Sequence, residues 1–114
     1  MAEAALRGDD IVVTFGRWES VFTKRKHLRL PMSALSQVKY VRRPLREVRG
    51  TWSGLLVAGL LKVGVWSGEH IVSVRRGVPA LRLVLADRTP CAEVVVSTPK
   101  AAELAVEIRP GVPI

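Results

Sequence analysis

The sequence predicts a mainly β, α+β domain in which an antiparallel sheet is closed by one amphipathic C-terminal helix. Two observations carry this. Short turns punctuate alternating runs over residues 69–97, and Ala101, Leu104, Ala105 and Ile108 then fall at i, i+3, i+4 and i+7. Size adds a third: 114 residues with 48% hydrophobic and 25% charged content suffice for one core and argue against wholesale disorder. Aromatic residues make up only 5%, so Val, Leu, Ile and Ala must build that core.

Taken in order, residues 11–15 are a largely β-branched run between Asp9-Asp10 and Gly16, which reads as a strand closed by a turn. Trp18, Val21, Phe22 and Arg25 share helical spacing, predicting one or two helical turns with Trp18 and Phe22 inward. Residues 27–30 form a short strand stopped by Pro31, and residues 32–35 a single turn. From Ser36, Val38, Tyr40 and Arg42 alternate with Lys39, Val41 and Arg43, a strand that Pro44 ends or confines to an edge. Residues 45–49 read as a basic loop or strand end. Gly50-Thr51-Trp52-Ser53-Gly54 is echoed by Gly64-Val65-Trp66-Ser67-Gly68, which predicts two tight glycine-bounded turns, each showing a tryptophan. The echo is too short for a repeat architecture. Residues 69–76, 81–86 and 92–97 then form a meander of three antiparallel strands, joined by Gly77-Val78-Pro79 and Asp87-Arg88-Thr89-Pro90. Thr98 caps the closing helix with Pro99 in its first turn, and Pro110 and Gly111 stop it. The resulting division is an N-terminal tail (1–9), a single domain (10–108) and a C-terminal tail (109–114).

The net charge of +8 is segregated. Residues 17–49 hold ten basic side chains against Glu19 and Glu47, while the remainder balances eight basic with eight acidic residues. A field concentrated on one region selects an anionic partner: lipid headgroups, nucleic acid or an acidic protein. The candidate docking residues are Lys24, Arg25, Lys26, Arg29, Arg42, Arg43, Arg46 and Arg49. The bland alternative is a solvated rim that keeps the protein soluble. Trp52 and Trp66 are candidate interface or membrane-contact residues, either as wedges at headgroup level or as buried or self-association anchors.

Catalysis finds little to work with. His27 sits among cations, His70 is far from it in sequence, and Cys91 at a strand entrance has no basic helix end beside it. No phosphate-binding glycine loop and no metal-ligand spacing occurs, so the expectation is a non-enzyme without cofactor or metal. One cysteine, a start without signal-peptide pattern and apolar runs too short for a bilayer predict a cytoplasmic protein. Peripheral docking at the inner membrane face is compatible with that placement.

Four segments resemble, in their order along the chain, small bacterial members (actinobacterial type) of the pleckstrin-homology-like superfold. They are Leu28-Arg29-Leu30-Pro31-Met32-Ser33-Ala34-Leu35, the glycine-bounded stretch 50–68, Ala80-Leu81-Arg82-Leu83-Val84-Leu85, and Val94-Val95-Val96-Ser97-Thr98-Pro99. The likeness covers residues 10–108. It implies a bent antiparallel barrel or sandwich of about seven strands closed by the helix at 99–108. It further implies a non-catalytic binding or assembly module, without implying a phosphoinositide ligand, because a fold alone supplies no function. The expected partner is an anionic membrane surface or an acidic protein. Nonspecific nucleic-acid binding ranks second: the sequence pI near 10.8 favours it, while no exposed basic helix and no aromatic RNA-binding strand motif does. A homo-oligomeric scaffold without lipid ligand is the remaining alternative.

Overall fold

The computed structural model of the protein describes residues 3–23, 25–43, 52–57, 60–66, 70–86 and 91–109, with the backbone alone at Trp18, at 52–57 and at Trp66. The chain is mainly β, in two sheets with a C-terminal helix. Strands β1 (Glu3–Arg7), β2 (Asp10–Thr14) and β3 (His27–Pro31) form an antiparallel sheet in that order. Helix α1 (Arg17–Thr23) links β2 to β3, and a single 3-10 turn, Met32–Ala34, leads into the second sheet. That sheet contains β4 (Leu35–Val41), β5 (Trp52–Val57), β6 (Leu61–Trp66), β7 (His70–Arg75), β8 (Ala80–Leu85) and β9 (Glu93–Ser97). Its spatial order is β4-β8-β9-β7-β6-β5, and helix α2 (Ala101–Ile108) follows.

Several expectations need correction. The segment read as an N-terminal tail, 1–9, contains β1, which pairs with β2 from Glu3↔Thr14 to Arg7↔Asp10. Gly8, at φ +61°, makes the tight reversal between them, and Ala4 is buried in the core. Nine strands occur among the described residues where about seven were expected, and they form two separate sheets with no closed barrel among those residues. Past Arg109, the expected C-terminal tail lies outside the described residues.

The meander of the last third is also rearranged. Instead of pairing with its successor β8, β7 pairs in parallel with β9, which lies between the two and runs antiparallel to β8. Composition explains the preference. Val94, Val95 and Val96 are all buried, so β9 covers both faces with apolar side chains and belongs at the centre of a sheet. Ser97 locks the arrangement: its hydroxyl accepts the Arg75 N–H at 2.9 Å and donates to the Val78 carbonyl at 3.1 Å. The Thr98 N–H donates to the Pro79 carbonyl at 2.9 Å, so the end of β9 is tied to the connection from β7 to β8.

Register sets the faces. Val38, Leu83, Val94 and Ile71 stand opposite one another on β4, β8, β9 and β7, and belong to the main core with Ile11, Val13, Leu28 and Leu30 of the first sheet. Helix α2 adds Ala101, Leu104, Ala105 and Ile108, the stripe its spacing predicts, and packs on β4 and β8. The cap differs from expectation: α2 begins at Ala101, and Thr98 accepts the Lys100 N–H at 3.3 Å from outside the helix. The opposite face of the second sheet carries a smaller buried cluster of Val41, Val72, Val74, Ala80 and Val95.

Gly77 turns the chain after β7 at φ +79°, and open space surrounds the position where its Cβ would stand. Backbone strain alone therefore opposes a side chain here. Gly77→Ala is expected to lower stability by about 1–2 kcal/mol and Gly77→Asn by less, read as a shifted midpoint in urea with an unchanged slope.

Candidate anion-docking surface

The docking candidates are displayed by the two connections at the ends of β3 and β4. Arg25 and Lys26 lie between α1 and β3, where the Phe15 N–H donates to the Lys26 carbonyl at 2.9 Å and seals the end of the first sheet. Arg42 and Arg43 follow Val41, the last residue of β4. Among the described residues, Arg25, Lys26, Lys39, Arg42 and Arg43 are exposed and make no ion pair. Lys24, Arg46 and Arg49 lie outside the described residues.

Arg29 is different from its companions. It is exposed, but its Nε donates to Asp10 Oδ2 at 2.8 Å across the β2–β3 pair, so much of its charge is spent locally. Arg82, not a sequence candidate, is likewise engaged, with its guanidinium 3.0 Å from Glu93 Oε2. His70 Nδ1 lies 3.5 Å from the same carboxylate oxygen. Lys39, opposite Arg82 in the β4–β8 register, meets no acid among the described residues and joins the exposed cations. Its place in a strand of the charged segment, between the outward Gln37 and Tyr40, was the available sequence signal.

The clusters do not merge. Arg25 is close enough to Cys91 for its charge to act on the thiol, at the end of the sheet where β8 finishes and β9 begins. Burial pushes the Cys91 thiol up, and the Arg25 charge partly opposes it, so the thiol stays protonated at neutral pH. Arg42 and Arg43 leave β4 beyond Val41, which pairs with Ala80 at the opposite end. A seven-residue strand such as β4 is roughly 20 Å long. The described cations thus form two groups at opposite ends of the second sheet, with Lys39 between them.

Neither tryptophan occupies a turn. Trp52 opens β5, Trp66 ends β6, and the two are direct partners in an antiparallel hairpin, as are Gly54 and Gly64. The sequence echo is thus the pairing of two strands, and Trp66 in turn stands opposite His70 on β7.

One buried polar cluster was not foreseen. In α1, Phe22, expected inward with Trp18, is half-buried and Val21 is 71% exposed, while the side chain of Trp18 lies outside the description; Glu19 and Thr23 are buried. Ser73 Oγ donates to Glu19 Oε2, and the Arg75 guanidinium lies 3.9 Å from Glu19 Oε1. Thr23 Oγ1 reaches the Glu19 carbonyl at 3.0 Å. The Ser73 and Arg75 contacts join α1 to β7, and the helix packs on β6, β5 and β7. A cleft of about 390 Å³ beside β1 has Glu3, Arg7 and Lys100 on its walls, a mixture of signs that selects no anion. No group of three His, Cys, Asp or Glu side chains fit to hold a metal occurs among the described residues.

A mainly β domain of two sheets and a C-terminal helix, with exposed cations at both ends of one sheet, is the class that fold and surface define. The chain matches no family model, no curated protein and no solved structure. No helix among the described residues is long and apolar enough to cross a membrane.

Proposed function

We propose that this chain is a non-catalytic binding module of the pleckstrin-homology-like type, and that it docks on an anionic membrane surface. The observation that carries the reading is the set of exposed cations, Arg25, Lys26, Lys39, Arg42 and Arg43, that make no ion pair among the described residues, in a segment that holds the chain's entire net charge. The two-sheet architecture with the amphipathic α2 packed on β4 and β8 supports the fold assignment. Cations roughly 20 Å apart suit a broad charged plane better than a single small anion held in a pocket. Each Lys or Arg brought to an anionic leaflet contributes about 1 kcal/mol, so useful affinity needs both groups together.

Co-sedimentation with neutral and anionic vesicles, at low and physiological salt and with a DNA competitor in parallel, tests the reading. Capture by anionic vesicles alone, surviving physiological salt, is the expected result. The combined substitution of Arg25, Lys26, Arg42 and Arg43 by alanine should abolish it, and either pair alone should weaken it. Equal capture by DNA, or loss of all binding at physiological salt, overturns membrane docking and redirects the search to an acidic protein partner.

A further inference from the structure

We propose that β5 is a dimerisation edge, at which two copies of the chain join antiparallel across a two-fold axis and merge their six-stranded sheets into one of twelve strands. Four strands end a sheet among the described residues: β1, β3, β4 and β5. An edge strand offers unpaired N–H and C=O groups to any strand that approaches, and natural edges are blunted by charge or proline. Three of the four are blunted in this way. Strand β1 carries Glu3 and Arg7, β3 carries Arg29 and ends in Pro31, and β4 carries Lys39 with Arg42 and Arg43 following. Strand β5, Trp-Ser-Gly-Leu-Leu-Val, carries neither charge nor proline. Among the described residues it pairs with β6 alone.

A second observation points the same way. The large hydrophobic side chains left exposed among the described residues include Val21 at 71% and Leu60 at 53%. Val21 lies on α1, which packs over β6, β5 and β7, and Leu60 sits immediately before β6 at the tip of the β5–β6 hairpin. Both therefore belong to elements that adjoin the unblunted edge.

The occupant that fits is a second copy. An acidic partner would need cations on the strand, and β5 has none. An antiparallel β5–β5 pair is self-complementary, so it closes into a dimer instead of growing into a filament. The like charge of two +8 chains opposes their approach, which gives the association a signature: salt screens the repulsion and strengthens the dimer. Docking on an anionic membrane has the opposite salt dependence, so the two readings succeed or fail separately.

Sedimentation velocity across micromolar concentrations, at low and high salt, is the first experiment, paired with amide hydrogen exchange at β5. The expected result is a monomer–dimer equilibrium that tightens with salt, with β5 amides exchanging more slowly as concentration rises. Leu56→Lys, which places a charge on the edge, and Val21→Lys on the exposed face of α1 should each raise the dissociation constant more than about tenfold. Should Leu56→Lys fail to fold, Val21→Lys and the concentration dependence of exchange at β5 decide the matter. A wild-type chain that sediments as a monomer throughout, or a dimer whose β5 amides exchange at the same rate at every concentration, overturns the proposal.

Discussion

Glu19→Ala is expected to destabilise the protein by about 2–4 kcal/mol, lowering the thermal midpoint by roughly 10–25 °C. The carboxylate is fully buried and accepts from the buried Ser73 hydroxyl. Truncation strands that hydroxyl at a cost of about 1–3 kcal/mol, and the vacated volume beneath α1 adds about 1 kcal/mol. Arg75 is partly exposed, which keeps the loss below that of a fully enclosed pair. Glu19→Gln, which still offers Ser73 an acceptor, should cost less. In a double-mutant cycle, Glu19→Ala and Ser73→Ala should be strongly non-additive, because both remove the same contact. Equal stability of Glu19→Ala and wild type in chemical denaturation would show that this contact does not hold α1 to the sheet.

Leu83→Ala should cost about 2–5 kcal/mol, while Val84→Ala, one residue along the same strand, should cost less than about 1.5 kcal/mol. Leu83 is fully buried between Val38 and Val94 in the main core. Val84 points to the other face, stands opposite Gln37 and Glu93, and is only half-buried. Cavity formation therefore dominates the first substitution, and partial loss of apolar cover the second. Urea denaturation with a shared slope measures both. Comparable losses at the two positions would mean that the face assignment across β4, β8 and β9 is wrong.

Local pattern made much of this fold legible. The stripe of α2, the strand before Pro31 and the alternation of Leu81, Leu83 and Leu85 were readable because each is set by neighbours a few residues away. The failures share a different cause. The run Glu-Ala-Ala-Leu-Arg has helix-forming composition, and becomes β1 only because β2 supplies a partner. Glycines around Trp52 and Trp66 signal turns when read singly, whereas their cross-strand pairing is visible only in three dimensions. The burial of Glu19 has no local signal, because its partners, Ser73 and Arg75, lie more than fifty positions away. Of the docking surface, the sign and segment of the charge could be read directly. The sequence concealed that Asp10 engages Arg29, and that Arg25 and Arg42 sit at opposite ends of a sheet.

The central position of β9 bears on how this chain is made. During synthesis, β5, β6 and β7 can assemble as consecutive hairpins, and β8 can find β4 once residue 85 has emerged. These halves have no shared strand until residues 93–97 arrive and pair with both. Up to that moment β7 and β8 each present an open flank, made largely of Val and Leu, to the crowded surroundings of a nascent chain. Strand β9, the last of the described strands, is thus the keystone of the sheet. A chain cut short before Glu93 would hold two part-sheets, β4-β8 and β7-β6-β5, with two further open edges that β9 otherwise closes.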